Sequence, residues 1–333
     1  MPTALVTGAT GQVGNHVVQR LQADGWEVRA LVRDAARAGA LSRAGVMLAT
    51  GDTLEATGFA RAARGCDLLV HAAAAITPRG GWEEFRKPNI EGTRNAIAAA
   101  SGAGAKLVHV SSVAVYGDMR FSPDGGGTDE DTPFTSLPEH AWYARSKRES
   151  EELVMHAHAE GRVWATAVRP DVIYGTHDRQ FVPRIARLLQ RGIAPLVGGG
   201  STTLAVVQAA NVADGIVRAA ATDSAGGRAY NLANDYDVTV ADFFRLAGEG
   251  MDVKLRTVSI PHVVARGAVG AFRVLAPLFV GKRYEAVTSA SLDFLSRDNP
   301  FSSERARRDL GWDPKVRPEA GVPEAFRWWA RHH

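Results

Sequence analysis

Short apolar runs alternate with helical patterns along the first half of the chain. Six runs rich in Val, Leu and Ala lack polar alternation, which is typical of strands buried on both faces of a parallel sheet. These runs cover residues 4–7, 27–32, 46–49, 67–72, 106–111 and 163–169. Helical spacing separates them, most clearly at residues 12–23, 89–101 and 142–159. The repetition of strand and helix predicts an α/β fold with a doubly wound, parallel, Rossmann-type sheet.

The pattern changes near residue 170, after which helical spacing predominates. Helical stretches cover residues 178–191, 211–221, 240–250, 261–275, 302–310 and 319–331, and one strand pattern covers 229–232. We therefore predict a dinucleotide-binding domain at residues 1–175, which also carries the catalytic residues. Residues 176–333 are predicted to form mainly a smaller, mostly helical substrate lobe, with the segment near 205–235 returning to the first domain.

Composition and charge exclude several classes of function. The 333 residues carry a net charge of only +3, without a stripe of basic and aromatic residues, so no nucleic-acid partner is expected. The single cysteine, Cys66, cannot form an internal disulfide and is expected to be a buried thiol in a reducing compartment. No secretory signal pattern is present, and no apolar run reaches the roughly 18 residues of a membrane span. A cytoplasmic protein without membrane contact is expected.

Two further features of the sequence do not indicate a particular function. Residues 263–280 are apolar but contain two arginines, which is compatible with a pocket wall, a core segment, or a surface that touches a membrane or partner. His156 and His158 are two residues apart on a predicted helix and point in different directions, so no metal site is expected.

A glycine-rich turn, T-G-A-T-G-Q-V-G at residues 7–14, follows the first predicted strand and opens the first helix. Glycines allow the unusual dihedral angles of such a turn and let its backbone approach a diphosphate, which helix N-terminal N–H groups favour. The turn therefore predicts a dinucleotide site. Its predicted contacts are Gly8, Thr10, Gly11, Gln12, Val13 and Gly14, with the small residues Ala72, Ala73 and Ala74 after the fourth strand.

The end of the second strand distinguishes NADP(H) from NAD(H). An acidic residue there binds the ribose 2′-hydroxyl, whereas an arginine accommodates a 2′-phosphate. Arg33 stands at this position and Arg37 lies one turn later, so NADP(H) is favoured; the alternative is that Asp34 binds the ribose. Asp52 and Thr53, after the third strand, are predicted to contact the adenine, although Asp52 also suits a helix N-cap.

Tyr143 and Lys147 are four residues apart on a predicted helix, so their side chains project from one face. A nearby ammonium lowers the pKa of a tyrosine and suits it to acid–base work near neutral pH. Ser112, at the end of the fifth strand, is positioned to hold a carbonyl oxygen, and Lys147 is expected to bind the nicotinamide ribose as well. The three residues predict hydride transfer between a nicotinamide and a carbonyl or alcohol carbon.

With these residues the chain resembles an extended short-chain dehydrogenase/reductase. The matching motifs are the glycine turn, G-D-T-L at 51–54, H-A-A-A at 71–74, N-I-E-G-T at 89–93, V-S-S-V-A-V-Y-G at 110–117, Y-A-R-S-K at 143–147 and R-P-D-V-I-Y-G at 169–175. A weaker match at 301–312, F-S-S-E-R-A-R-R-D-L-G-W, extends the resemblance over nearly the whole chain.

The resemblance implies roles for particular residues. Ser112, as the second serine of its pair, matches the catalytic serine, and Asn89 matches a position that joins a water or backbone relay. Pro170, Val172 and Ile173 are implied to pack near the nicotinamide. Helices 89–101 and 142–159 commonly form a dimer interface in this family, which implies a homodimer.

Within that family the chain resembles the 3β-hydroxysteroid dehydrogenase and dihydroflavonol reductase branch, and also reductases of long-chain 3-oxo acids. Aligning 211–212 with the relevant motif of sugar-nucleotide epimerases places Leu204 where those enzymes carry a phosphate-binding arginine, which favours an apolar substrate. The other candidate substrate residues are Phe121 and Phe134, in the loop before Tyr143, and His177 and Arg179, after the sixth strand.

The predicted function is an NADP(H)-dependent oxidoreductase acting on a ketone or secondary alcohol of a small apolar molecule, such as a steroid, a flavonoid or a 3-oxoacyl compound. Two alternatives stay open at this point. One is a nucleotide-sugar epimerase or dehydratase with tightly bound NAD. The other is a non-catalytic protein that senses NADP(H), although relatives of that kind often lack the tyrosine or the lysine, and both are present here.

Overall fold

The computed structural model describes residues 1–76, 80–117, 127–264 and 298–333. The chain forms two compact units. The first consists of Met1–Ile173, Val207–Asp235 and Phe301–Lys315, and the second of Tyr174–Val206, Tyr236–Pro300 and Val316–His333. Residues 301–315 therefore belong to the first unit, together with the segment near 205–235.

The first unit is built on a seven-stranded sheet. The strands of the chain are β1 (Thr3–Thr7), β2 (Glu27–Val32), β3 (Met47–Thr50), β4 (Leu68–His71), β5 (Lys106–Val110), β6 (Ala165–Pro170), β7 (Val172–Tyr174), β8 (Ile193–Val197), β9 (Val206–Gln208), β10 (Ala229–Leu232) and β11 (Arg256–Ile260). The sheet order is β10-β6-β5-β4-β1-β2-β3, and every neighbouring pair is parallel. The doubly wound Rossmann-type fold is confirmed.

Helices connect the strands. They are α1 (Gln12–Ala23), α2 (Gly39–Arg43), α3 (Ala56–Ala63), α4 (Glu83–Arg86), α5 (Gly92–Ala103), α6 (Trp142–Ala159), α7 (Phe181–Leu189), α8 (Ala209–Ala221), α9 (Val240–Met251), α10 (Glu304–Leu310) and α11 (Pro318–His332). A π-helical turn, Lys87–Glu91, leads into α5, and a 3₁₀ turn, Val113–Tyr116, follows β5.

Apolar side chains cover both faces of the sheet, which explains why its strands lack polar alternation. Val6 packs in one cluster with residues of α1 and α8, including Leu21 and Ile216. Leu5, on the opposite face, packs with α3 and α5 through residues such as Phe59 and Ile97. Each such fully buried side chain contributes roughly 1.5–3 kcal/mol relative to an exposed one. These two layers hold the carboxyl ends of the strands at one edge.

Several boundaries differ from the predicted ones, for local reasons. Helix α7 begins at Phe181 rather than near 178 because the carboxylate of Asp178 accepts the N–H groups of Gln180 at 2.7 Å and Val182 at 2.8 Å and so caps the helix. Strands β7, β8, β9 and β11 were not predicted; β7 and β9 have only three residues each. The predicted helix at 261–275 and the apolar stretch at 263–280 lie mostly outside the described residues.

Candidate active site

The carboxyl ends of β1, β4, β5 and β6 lie side by side in the parallel sheet. The glycine turn follows β1, the three alanines follow β4, Ser112 follows β5 and Pro170 ends β6. In doubly wound sheets ligands bind at this edge. The structure thus brings together most of the predicted cofactor and catalytic segments of the first unit.

Close packing explains the glycines of the turn. Gly8 has a φ of +71°, and a Cβ on it would lie 2.8 Å from the backbone nitrogen of Ala73. A Cβ on Gly14 would lie too close to the carbonyl oxygen of Gly8. The N–H of Gly11 donates to that same carbonyl at 2.9 Å and closes the turn. The turn therefore tolerates no side chain at Gly8 or Gly14.

The start of α1 fits an anionic group. Gly11 at the N-cap carries no side chain, and the first turn contains no acidic residue. Backbone N–H groups and the helix dipole favour a phosphate at such a position. The side-chain nitrogen Nε2 of Gln12 is buried there without a hydrogen-bond partner among the described residues. Thr10 is exposed at the surface of the turn, and Val13 is half-buried beside the core of the unit.

The residues after β4 are held against the turn. The N–H of Ala73 donates to the hydroxyl of Thr7 at 3.1 Å. Ala72 is half-buried and Ala74 is exposed, so the segment presents small side chains beside Gly8. The backbone of Ala72 and Ala73 therefore lies directly against the glycine turn.

The two arginines after β2 differ in their partners. Arg37 is exposed and lies 3.5 Å from the carboxylate of Asp34, whose other oxygen accepts the N–H of Ala36 at 2.9 Å. Arg33 is exposed and has no ion-pair partner among the residues that the structure describes. Asp34 is thus engaged by its own loop, whereas the guanidinium of Arg33 faces solvent.

Asp52 organises the loop after β3. Its carboxylate accepts the N–H of Leu54 at 2.9 Å and lies 3.5 Å from the hydroxyl of Thr53. The N-cap of α3 is instead Glu55, whose side chain accepts the N–H of Gly58 at 3.2 Å. Asp52 is therefore not the helix cap that the sequence left open. The carbonyl of Thr53 accepts from the side chain of Asn95 at 2.8 Å, which ties this loop to α5.

The phenol of Tyr143 lies next to the hydroxyl of Ser112. Burial raises the pKa of Tyr143, and the interaction with the Ser112 hydroxyl opposes that rise. Ser112 also accepts the N–H of Ala114 at 3.2 Å and so caps the 3₁₀ turn after β5. Helix and strand therefore bring both hydroxyl groups to one point at the sheet edge.

Lys147 lies one turn further along α6 and is 2% exposed. Its ammonium donates to the carbonyl of Val110, at the end of β5, over 2.6 Å. Burial lowers the pKa of Lys147 to about 8, against the opposing charge of Glu151. The sequence suggested that this ammonium lowers the pKa of Tyr143. The net shift of the pKa of Tyr143 in the structure is upward, because burial of the phenol is the largest influence on it.

Asn89 occupies the π-helical turn and is almost fully buried. Its side chain accepts the N–H of Ala75 at 2.7 Å and donates to the carbonyl of Ala75 at 3.0 Å. Its second amide hydrogen goes to the hydroxyl of Ser146 at 2.8 Å, and Ser146 donates to the carbonyl of Tyr143 at 2.8 Å. Asn89 thus contacts the loop after β4 and the backbone of the tyrosine's helix, rather than Lys147.

A buried layer beneath Lys147 was not singled out from the sequence. The rings of His71 and His109 stack with centroids 5.8 Å apart. His71 pairs with the hydroxyl of Thr7 at 2.9 Å, and His109 with Ser150 at 3.2 Å. Burial and then the charge of Lys147 lower the pKa of His71 to about 3, so the ring is neutral. His71 is therefore a packed, neutral residue of the core.

Further along α6, Glu151 meets Arg169 of β6 in a buried ion pair. The guanidinium Nε lies 3.1 Å from both carboxylate oxygens, and Nη2 lies 2.5 Å from Oε1. Arg169 also donates to the hydroxyl of Tyr116 at 2.7 Å, which in turn donates to Asn231 at 2.9 Å. The four-residue spacing of Lys147 and Glu151 on one helix is the only sequence signal that points toward this network. The residues that form the network are far apart in the sequence.

The remaining predicted cofactor residues lie at the end of β6. Pro170 is buried, Val172 and Ile173 are half-buried, and Ile173 packs against the core of the unit. Between them, Asp171 accepts the N–H of Val172 at 2.7 Å through Oδ1, while its Oδ2 is buried without a partner among the described residues. Sequence reasoning passed over this carboxyl.

The predicted substrate residues are not brought together within one unit. Phe134 packs edge-on against Tyr116 at 5.7 Å, which is local packing within the first unit. Phe121 lies outside the described residues. His177, Arg179 and Leu204 belong to the second unit, where Leu204 is buried and His177 packs against Trp328 at 4.9 Å.

In the parts of the chain that the structure covers, no three His, Cys, Asp or Glu side chains are grouped so that they could hold a metal ion. Among the helices of those same parts, none combines the length and apolar character needed to cross a bilayer.

Comparison with known proteins identifies the family. The model of the NAD dependent epimerase/dehydratase family matches residues 4–233. A 4-hydroxy-2-methyl-3-oxo-4-farnesyl-3,4-dihydroquinoline-1-oxide ketoreductase from Stigmatella aurantiaca is 30% identical over 95% of this chain and 93% of its own. A 2-alkyl-3-oxoalkanoate reductase from Shewanella oneidensis is 31% identical over 96% of this chain and 84% of its own.

A solved structure, that of gox2253, has the same fold over the whole chain. It is 28% identical, has a TM-score of 0.77, and the match covers 100% of this chain and 99% of that one. The chain is therefore an enzyme of the NAD dependent epimerase/dehydratase family, and it belongs to the extended short-chain dehydrogenases/reductases and their 3β-hydroxysteroid dehydrogenase-like branch.

Proposed function

We propose that this protein is an NADP(H)-dependent oxidoreductase that transfers hydride between the nicotinamide and a ketone or secondary alcohol. The observation that carries the proposal is the position of the Tyr143 phenol next to the Ser112 hydroxyl at the carboxyl end of β5, with the ammonium of Lys147 one helical turn away. A phenol and a second hydroxyl at one point are what a carbonyl oxygen needs for orientation and protonation.

The residues present fit a dinucleotide. The glycine turn and the start of α1 would hold the diphosphate, and Asp52 with Thr53 would border the adenine. Pro170, Val172 and Ile173 would border the nicotinamide. When bound, the dinucleotide supplies or accepts the hydride.

The side chains of the site would move and position the proton. In the reducing direction Tyr143 gives its phenolic proton to the substrate oxygen, and Ser112 donates a hydrogen bond to the same oxygen. Burial raises the pKa of Tyr143, so the phenol is protonated at neutral pH and carries the proton that it would transfer. Lys147 stabilises the resulting phenolate through its charge, and Asn89 acts as a positioning residue through Ser146.

Arg33 supports NADP(H) over NAD(H). Its guanidinium is exposed at the end of β2 without an ion-pair partner among the described residues, whereas Asp34 already accepts an N–H group and pairs with Arg37. A free arginine at this position suits a 2′-phosphate, and an engaged carboxylate is poorly placed to bind a ribose hydroxyl.

An apolar ketone or alcohol is the proposed substrate class, covering steroid-like, flavonoid-like and 3-oxoacyl compounds. Both reductases described above are named for 3-oxo compounds with alkyl or farnesyl groups. Leu204, at the position aligned with the phosphate-binding arginine of epimerases, is a buried aliphatic residue, which disfavours a nucleotide-sugar. His177 and Arg179 stay candidates for polar contacts with the substrate.

We also propose a homodimer formed through α5 and α6 and a cytoplasmic location, in which the buried thiol of Cys66 stays reduced. Sedimentation equilibrium on the purified protein tests the dimer. A monomer at micromolar concentration would contradict it.

The decisive test of the activity is NADPH oxidation in the presence of steroid, flavonoid and 3-oxoacyl ketones, with NADH measured in parallel. Tyr143→Phe is expected to reduce turnover about 100-fold or more while leaving the affinity for NADPH unchanged. Tyr236→Phe is the matched control, because its ring lies under Arg317 in the second unit and keeps that contact. A fully active Tyr143→Phe variant would show that another group donates the proton.

A further inference from the structure

Asp171 is a half-buried residue whose carboxyl group the mechanism above does not use. It directly follows β6, and its Oδ1 accepts the N–H of the next residue, Val172, at 2.7 Å. Its Oδ2 is fully buried and has no hydrogen-bond partner among the described residues. Buried polar atoms in native proteins nearly always have partners, so this oxygen calls for an explanation.

The strand register places this carboxyl beside the catalytic serine. Val110 of β5 pairs with Val168 of β6, and the N–H of Ser111 donates to the carbonyl of Val168 at 2.8 Å. Ser112 is therefore level with Pro170 on the neighbouring strand, and Asp171 comes one residue later. Neighbouring strands lie about 4.8 Å apart, so Asp171 stands at the same edge of the sheet as Ser112.

Apart from the hydroxyl of Tyr230, near the start of β10, the other unpartnered buried side-chain atoms in the described part of the first unit lie at or near the same edge. They are Nε2 of Gln12 after β1, Nδ1 of His109 in β5 and Oγ of Ser111 after β5. Each lies at or near the carboxyl end of a central strand, where a dinucleotide and its substrate are proposed to bind. Asp171 extends this row of polar atoms to β6.

The surroundings of Asp171 favour its neutral form. Burial raises the pKa of Asp171 well above its usual range, and only the N–H of Val172 opposes this. The nearby cations are engaged elsewhere: Arg169 with Glu151 and Tyr116, and Lys147 with the carbonyl of Val110. A protonated carboxyl has one O–H donor, and here that donor has no acceptor among the described residues.

We infer that Asp171 is a ligand-binding residue whose protonated Oδ2 donates a hydrogen bond to an uncharged carbonyl oxygen of the bound molecule. The acceptor is either the carboxamide of the nicotinamide or a second oxygen of the substrate, and the two share the same chemistry. This inference rests on the proposed function and deepens it. It also predicts that a carboxylate at this point of a ligand is poorly accepted, because the group offers no positive charge to it.

The test compares Asp171→Asn with Asp171→Leu. Asparagine keeps a neutral donor of nearly the same shape, so Asp171→Asn is expected to keep both the Kd for NADPH and the KM for the ketone within about threefold. Leucine keeps the volume but removes the donor, so Asp171→Leu is expected to weaken one of these constants about tenfold or more. A rise in the Kd for NADPH identifies the carboxamide as the acceptor, and a rise in KM alone identifies the substrate.

The outcomes separate the two proposals. Wild-type protein that binds NADPH and reduces a ketone, combined with an Asp171→Leu variant unchanged in both constants, would overturn only the role of Asp171. Wild-type protein that binds no nicotinamide dinucleotide would overturn the proposed function as well.

A second measurement does not depend on how well Asp171→Leu folds. The infrared spectrum of the wild-type protein is expected to contain a protonated-carboxyl band that is absent in Asp171→Asn and that shifts when NADP⁺ or the substrate is added. A spectrum without that band would show that Asp171 is ionised and would overturn the inference.

Discussion

The polar side chains in the first two turns of helix α6 have fewer partners than those in the turn that follows. Tyr143 lies next to the hydroxyl of Ser112, and Lys147 donates to the carbonyl of Val110. Glu151, one turn later, binds Arg169 through both carboxylate oxygens. Of the two regions, only the one around Tyr143 and Lys147 has unused hydrogen-bonding capacity. It lies at the sheet edge where ligands bind in this fold.

The charges of the two regions differ in the same way. Burial by itself would lower the pKa of Arg169, but the charge and hydrogen bonds of Glu151 outweigh it and raise that pKa. At Lys147 burial prevails and lowers the pKa to about 8. Arg169 therefore keeps its charge at any moderate pH, whereas Lys147 is poised to titrate. A buried network in which every polar group has its partners stabilises the helix. Polar groups with unused bonding capacity can instead bind a ligand or take part in catalysis.

Unfolding measurements on one variant from each region are expected to show the largest difference between them. Arg169→Met leaves the carboxylate of Glu151 buried and unpaired, so we expect the free energy of unfolding to fall by about 3–5 kcal/mol. Lys147→Met removes a charge that burial already disfavours, so stability at pH 7 is expected to be unchanged or to rise by up to about 2 kcal/mol. Urea denaturation monitored by circular dichroism measures both. Equal losses would show that Lys147 is also a structural brace.

The pH dependence sharpens the comparison at Lys147. Its pKa in the folded protein, about 8, is below the ordinary 10.5, so the folded state holds fewer protons than the unfolded state between these values. The contribution of Lys147 to the free energy of unfolding therefore rises with pH across that window. Below about pH 8 the folded protein carries the full destabilisation that comes from burying the charged ammonium.

Turnover should have the opposite trend. Ketone reduction needs the charged ammonium and is expected to fall about tenfold per pH unit above pH 8, measured as kcat at saturating NADPH. A rate that stays constant well beyond that pH would show that the charge of Lys147 is not required.

The smallest expected effect is at the surface, where Arg33 and Arg37 repeat the contrast between a free and an engaged group. Arg33→Ala is expected to raise the Kd for NADPH about tenfold and to leave the Kd for NADH unchanged, because only NADPH carries the 2′-phosphate. Arg37→Ala, which removes a side chain already paired with Asp34, is the matched control and should have a smaller effect. Fluorescence titration gives both constants, and equal losses for NADPH and NADH would contradict the assigned role.

Local patterns were sufficient to predict the Rossmann-type sheet and the segments at its edge. Glycine spacing after a strand, apolar runs without alternation, and the four-residue spacing of Tyr143 and Lys147 are all properties of neighbouring residues. Parallel pairing then places every strand's carboxyl end at one edge, so the order of motifs along the chain already implied that Ser112 and the glycine turn lie on the same side.

Only the tertiary structure decided how the polar groups at that edge are partnered. Asn89 reaches Ser146 across 57 residues, and Arg169 reaches Tyr116 across 53, through contacts that no local pattern predicts. The pKa of Lys147 and the unpartnered oxygen of Asp171 depend on burial by distant helices and strands. The sequence by itself determined which chemical groups are available and on which elements they lie. Their hydration, charge and unused bonding capacity were decided by packing, because these depend on what surrounds each group in space.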